Sequence, residues 1–202
     1  DPYGMMNNIR LVTEYLKKKI SVEGGDPERG TLSFVPAKDG TLCHKADDGI
    51  YRMYSFIDDV STIQNTKSTD EAYRTAYAFG EFQRRLSDFN PDCLTETIPD
   101  FHNTQKRYEA FMEIVESDPL GRASEVVHLI EYAKSEAYLS EAITKPLKEG
   151  LLPLRVSHND TKINNVLFDN ETGQGICVID LDTVMPATSL YDFGDMVRSG
   201  AN

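Results

Sequence analysis

His158, Asp160, Lys162, Asn165, Asp180 and Asp182 fall within one stretch, HNDTKINNVLFDNETGQGICVIDLD. An Asp five positions before an Asn, in His-x-Asp-x-x-x-x-Asn, can face an acceptor hydroxyl and take its proton as the oxygen attacks; here that base is Asp160. Val166-Leu167-Phe168 and Ile176-Cys177-Val178-Ile179 are β-type runs joined by a turn centred on Asn170 to Gly175, which reads as a hairpin. A hairpin brings its outer ends together, so Asn165 returns to the neighbourhood of Asp180. One offers a neutral oxygen and the other an anionic one. That pair suits Mg²⁺, a hard cation satisfied by a few protein oxygens plus water and substrate phosphates. Lys162 is placed to neutralise charge on a γ-phosphoryl group. His158 reads as a brace for the loop rather than a proton carrier, since a nearby carboxylate fits that role better. The chemistry to which this spacing points is phosphoryl transfer from ATP, where the protein mainly positions the acceptor and the metal.

Two acidic residues near this block need separate treatment. Asp192-Phe193-Gly194 spells a D-F-G, yet Asp192 lies 27 positions beyond Asn165 (165 to 192), whereas Asp180 lies 15 beyond (165 to 180), at the hairpin's end. The metal is therefore assigned to Asp180. Asp192 is expected to open the next helix and to hydrogen-bond the backbone of the catalytic loop. Asp182 is open between supporting the metal site and touching the acceptor.

The elements that must position these groups are legible in outline. Asp1-Pro2 reads as a helix cap, and Met5, Ile9, Val12, Leu16 and Ile20 make one apolar helix face. Glu14 on that helix reads as a solvated charge, with partnership to an ATP-binding lysine as the alternative. Gly24, Gly25 and Gly30 follow a helix rather than a strand and do not fit G-x-G-x-x-G, so they read as a turn. Strands are expected at 31–36, 41–45 and 50–56, punctuated by Asp39-Gly40 and Asp48-Gly49. Ser68 and Glu71 form a capping box ahead of the stripe Ala72, Ala76, Phe79, Phe82, Leu86 and Phe89. Gly80 within that helix implies close packing by another element. After a loop from Asn90 to Asn103, Thr104 is expected to cap a helix with Tyr108, Phe111 and Val115. A second helix carries Ala123, Val126, Val127, Ile130 and Ala133, and a third carries Leu139, Ile143 and Leu147, interrupted by Pro146 and stopped by Gly150.

Composition bounds the possibilities. The 202 residues are 40% hydrophobic and 27% charged, enough for a globular core. A net charge of -12 argues against a protein that covers nucleic-acid phosphates, which needs a basic surface. An anion such as ATP must then meet cations placed locally. Cys43, Cys93 and Cys177 are odd in number and widely spaced, so they read as reduced, partly buried thiols rather than a disulfide or zinc set. No apolar run approaches a membrane span, and the cytoplasm is the expected compartment.

HNDTKINN followed by VIDLD resembles the aminoglycoside phosphotransferase and choline kinase superfamily, small-molecule kinases with a protein-kinase-like fold. EGGDPERGTLSFVPAKDG, FGEFQRRLSDF, IPDFHNTQKRYEAF, LRVSHNDTKINNVLFD and CVIDLDTVMPATSLYDFGD are similar more narrowly to N-acetylhexosamine 1-kinases. The resemblance implies an α+β, bilobal fold with a partial β-rich N-lobe over 1–57 and a mainly helical C-lobe over 58–202. It implies ATP and Mg²⁺ as cofactors, Asp160 as base and Asn165 and Asp180 as metal ligands. Tyr54, Ser55, Phe56 and Ile57 would form the hinge whose backbone meets adenine. The implied acceptor is a small sugar, at the anomeric hydroxyl of N-acetylglucosamine or N-acetylgalactosamine. Other acceptors of the superfamily are aminoglycosides, choline and homoserine, and a non-catalytic kinase-like fragment is the competing class. Complete members carry a Gly-rich loop upstream of the position of Asp1 and helices beyond that of Asn202. The chain is thus expected to be part of a longer protein, with apolar surface exposed where the other parts pack.

Overall fold

Helix α1 (Pro2–Val22) starts where the Asp1 carboxylate accepts the N–H of Gly4, and Pro2 stands in its first turn. Its inward face buries Met6, Ile9, Val12, Leu16 and Ile20, each worth about 1.5–3 kcal/mol of transfer from water. Glu14 is on the outer face, paired with Arg10 at 3.1 Å. Gly24, at a φ of +79°, turns the chain into the single-turn helix α2 (Pro27–Gly30), capped by Asp26. The computed structural model describes residues 1–200; Ala201 and Asn202, at the end of the expected C-lobe, lie outside the described residues.

The β-rich segment is built of shorter pieces than its composition predicts. Strand β1 (Phe34–Val35) pairs antiparallel with β4 (Met53–Tyr54), and β2 (His44–Ala46) with β3 (Gly49–Tyr51). The second pair is the hairpin that the Asp48-Gly49 signal marks. β5 (Val60–Ser61) joins β7 (Val166–Asp169), which pairs with β8 (Gly175–Val178), giving the sheet order β5-β7-β8. β6 (Arg155–Ser157) pairs antiparallel with β9 (Met185–Ala187), a strand with Pro186 at its centre that the sequence reading did not include.

Helix α3 (Thr69–Arg85) is capped by Ser68, which accepts the Glu71 N–H, while the Glu71 carboxylate accepts the N–H of Lys67 at 2.6 Å. Its Phe79 and Phe82, with Leu86 just beyond, join α1 and the β7–β8 hairpin in the main core. Gly80 corrects one expectation: nothing lies within 4 Å of where its Cβ would stand, because it faces outward. Helix α7 (Ser189–Gly200) closes the described chain.

The chain divides into two compact units. One comprises residues 1–97 and 154–202, and the other Ile98–Pro153. The second unit holds α4 (Thr104–Ser117), α5 (Val127–Ser135) and α6 (Thr144–Lys148), with 3-10 turns at Ala123–Val126 and Ala137–Glu141. The cap of α4 is Asn103, whose side chain accepts the Lys106 N–H at 3.1 Å, so Thr104 is the first helical residue and not the cap. The third expected helix of this region is split into the second 3-10 turn and α6. Cys43 and Cys177 are buried but Cys93 is exposed, which corrects the expectation for that thiol. Among the described residues no helix is long and apolar enough to cross a membrane.

Candidate functional site

The β7–β8 hairpin returns the chain on itself with Val166 opposite Val178, and one further backbone bond runs from the Ile179 N–H to the Asn165 carbonyl at 2.9 Å. Asn165 and Asp180 are thereby neighbours. Asp180 adopts the left-handed conformation, φ 60° and ψ 52°, which a short polar side chain tolerates and which turns the chain sharply at the hairpin's end. The Asn165 Nδ2 donates to the Asp160 carbonyl at 2.9 Å and lies 3.4 Å from Asp160 Oδ2. Its Oδ1 is therefore the atom left for a cation. The Asp180 carboxylate has no hydrogen bond or ion pair among the described residues. A carbonyl oxygen and an unpaired carboxylate fit Mg²⁺, and no larger cluster is needed; no group of three or more His, Cys, Asp or Glu side chains forms a metal site among the described residues.

Asp160 is half-buried, and its Oδ2 meets Lys162 Nζ at 2.8 Å. The hydrogen bond to Asp160 raises the Lys162 pKa above its ordinary value. The expected base and the expected phosphate cation are thus paired with each other here.

The loop that carries Asp160 is held from behind. His158 is fully buried, packed edge-on against Phe79 and Phe82 at 5.8 and 5.9 Å. Its Nδ1 lies 3.2 Å from the N–H of Asp160 and its Nε2 lies 2.8 Å from the Ile179 carbonyl. An N–H can only donate and a carbonyl only accept, so the proton sits on Nε2. The ring therefore ties the loop to the hairpin's end. Asp192, in the first turn of α7 and 4% exposed, accepts the backbone N–H groups of His158 and Asn159 at 2.9 and 2.8 Å, and also the Gln83 amide. Its burial pushes its carboxyl up from the usual range, opposed by those two N–H donors. Phe193 of the D-F-G is a helical residue, 62% exposed.

A cavity of about 470 Å³ collects several of the remaining groups. Asn165, Asp180 and Asp182 line it together with Tyr54, Ser55, Phe56 and Ile57; Asp160 and Lys162 do not. The Ser55 N–H is engaged by the Ser33 carbonyl at 2.8 Å, continuing the β1–β4 ladder, while the backbone of Phe56 and Ile57 has no such partner among the described residues. Tyr54 packs its ring against Phe34 at 5.8 Å. Asp182 is paired with Arg52 at 2.6 Å.

The sequence reading passed over Arg52, Asn8 and Asn159. Asn8 is fully buried on α1 and bonds both the Thr95 backbone and the Val184 carbonyl, fastening the segment after Asp182 to the helix. A polar residue one turn before Val12, beside the apolar stripe, was the available signal. Asn159 stands at a φ of +67° and donates to the Thr183 carbonyl at 3.0 Å; its residue type, tolerant of that conformation, was the only hint.

Comparison with known proteins identifies the fold and the family. The chain is similar to a spectinomycin phosphotransferase in its AMP-bound complex, with a TM-score of 0.55 and 16% identity over 92% of this chain and 59% of that one. It is similar also to an aminoglycoside 2'-phosphotransferase-IIIa in its GDP complex, with a TM-score of 0.51 and 18% identity over 93% of this chain and 62% of that one. A microcompartment-associated aminopropanol kinase matches with a TM-score of 0.50 and 16% identity, over 94% and 58%. The chain spans less than two thirds of the length of each of these structures. The fold is the protein-kinase-like, mixed helix and strand fold of aminoglycoside phosphotransferases. With the phosphotransferase enzyme family (APH) matching residues 35–202, and so most of the sequence, the chain belongs to that family.

Proposed function

We propose that the protein is a small-molecule kinase that transfers the γ-phosphoryl group of ATP to a sugar hydroxyl, the anomeric hydroxyl of N-acetylglucosamine or N-acetylgalactosamine. The observation that carries the kinase reading is the hairpin closure, which sets the Asn165 amide oxygen and the free Asp180 carboxylate in one cavity with residues 54–57. The sugar reading is supported by the resemblance along most of the chain to N-acetylhexosamine 1-kinases. Residues 1–57 are then a partial N-lobe, 58–202 the C-lobe, and 54–57 the hinge. Three thiols without a disulfide fit the cytoplasm.

In this reading adenine meets the unpartnered backbone of Phe56 and Ile57, with the Tyr54 side chain beside it. Asn165 and Asp180 would hold Mg²⁺, which would supply positive charge to neutralise the phosphates. Asp160 accepts the proton of the attacking hydroxyl. Lys162 must turn from Asp160 to reach the γ-phosphoryl oxygens, and a side chain 48% exposed has room to do so. His158 and Asp192 keep the loop in place without touching the reactants.

Incubation of the protein with ATP, Mg²⁺ and each amino sugar, followed by phosphorus NMR, tests the assignment. A new signal from a phosphate on the anomeric carbon is expected. Phosphate at another hydroxyl, or transfer only to an aminoglycoside or amino alcohol, would overturn the acceptor while keeping the kinase.

A further inference from the structure

Among the described residues Arg52 is the only cationic side chain lining the 470 Å³ cavity, which it shares with Asp180 and Asp182. The protein carries a net charge of -12, and two carboxylates on the cavity wall repel a nucleotide's phosphates unless a cation is fixed nearby. Lys162 does not line this cavity and is engaged by Asp160. Arg52 lies between β3 and β4, two positions before Tyr54, and both side chains line the cavity, while Met53 between them is 64% exposed and does not.

The partners of Arg52 are few. Its side chain is 28% exposed, and its guanidinium meets Asp182 at 2.6 Å and the Met6 sulfur at 3.7 Å. Asp182 Oδ1 is buried and makes no aligned hydrogen bond, so the contact is Coulombic and leaves most of the guanidinium N–H donors open. A pair this exposed and poorly aligned contributes little to stability. A planar fork of N–H donors does match phosphate oxygens.

We propose that Arg52 is a nucleotide-phosphate ligand of the cleft, held on Asp182 until a nucleotide arrives. Asp182 is then neither a metal ligand nor a sugar contact but a place-holder for the phosphate. The inference rests on the kinase reading above and adds to it a binding residue and the partner from which that residue must be displaced.

Calorimetric titration of the chain with ADP and with adenosine, both in EDTA so that no metal contributes, tests it. Arg52→Met should weaken ADP binding by roughly 10- to 100-fold, the range for a lost charge-assisted contact, and leave adenosine affinity within about twofold. Asp182→Asn, which frees Arg52 and removes an anion, should tighten ADP binding several-fold. An Arg52→Met variant with unchanged ADP affinity, or with ADP and adenosine weakened equally, overturns the proposal, as does weaker metal-free ADP binding in Asp182→Asn. Circular dichroism of both variants distinguishes lost binding from lost fold. Failure of the unsubstituted chain to bind either ligand would instead remove the nucleotide site, and the Arg52 assignment with it.

Discussion

Asp160 is bound by two neighbours, Lys162 Nζ and the Asn165 amide, and its proposed work requires both. Asn165 aims the loop, and Lys162 keeps a cation beside a carboxylate until substrate arrives. Asp160→Asn preserves the shape and removes the proton acceptor. Turnover should fall by at least about 100-fold, with ADP affinity within a few-fold, as measured by coupled assay and calorimetry. Retained turnover would take Asp160 out of the base role. The hairpin also brings Asn165 and Asp180, the two proposed Mg²⁺ ligands, side by side, with the Ile179 N–H bonded to the Asn165 carbonyl.

The hairpin is the element on which the site depends, and its turn is pinned by Asp169. Asp169 accepts from Thr172 N–H at 2.8 Å and pairs with Arg29 at 2.8 Å. The Thr172 backbone and hydroxyl, then Arg29, hold its carboxyl below the usual range. A depressed folded-state pKa adds stability above the ordinary carboxylate value, about 3.9, and loses it as pH falls through the lower folded value. Asp169→Asn should therefore be less stable than the parent at neutral pH, and the gap in urea midpoint should close below about pH 4. A gap that persists unchanged into acid would sink this account. Two glycines give opposite expectations. A Cβ at Gly175 would stand 2.8 Å from the Ala78 Cβ and 3.0 Å from Val166 Cγ1, so Gly175→Ala should push β8 off α3 and destabilise by about 1–3 kcal/mol. Gly80→Ala, on the open face of α3, should stabilise by roughly 0.5–1 kcal/mol, and urea unfolding of both reads the sign directly.

For the molecule as a whole, the buried hydrophobic cluster belongs to the unit that carries the site. Most of its residues come from α1, α3, the β7–β8 hairpin and the segment after Asp180. Within Ile98–Pro153 the buried residues are Ile130 and Ser140, while Ile114, Leu129 and Tyr132 are 62%, 56% and 67% exposed. Less burial means easier local opening. Hydrogen exchange should show faster amide exchange in α4 and α5 than in α1 and α3, and equal protection would contradict this reading of the burial. The local contact of Arg52 with phosphate adds a salt dependence: the advantage of the parent over Arg52→Met in ADP binding should shrink as ionic strength rises.

What the sequence by itself determined is local. The α1 stripe, the capping box at Ser68 and the β7–β8 hairpin rest on periodicity and turn chemistry within a few residues, and the spacing of Asp160, Asn165 and Asp180 follows from them. The long helix at Thr104 was legible too, though its cap moved to Asn103 because the side chain one position earlier reaches the free N–H. Tertiary structure alone decided the contacts between distant segments. Pro186 argues against a strand, yet β9 forms because β6 offers it a partner. Asn8 meets Val184, Asp192 meets the His158–Asn159 backbone, and Arg52 meets Asp182, each across a long separation in sequence. No local pattern encodes such pairs, since each exists only once burial of the common core has brought its two segments together.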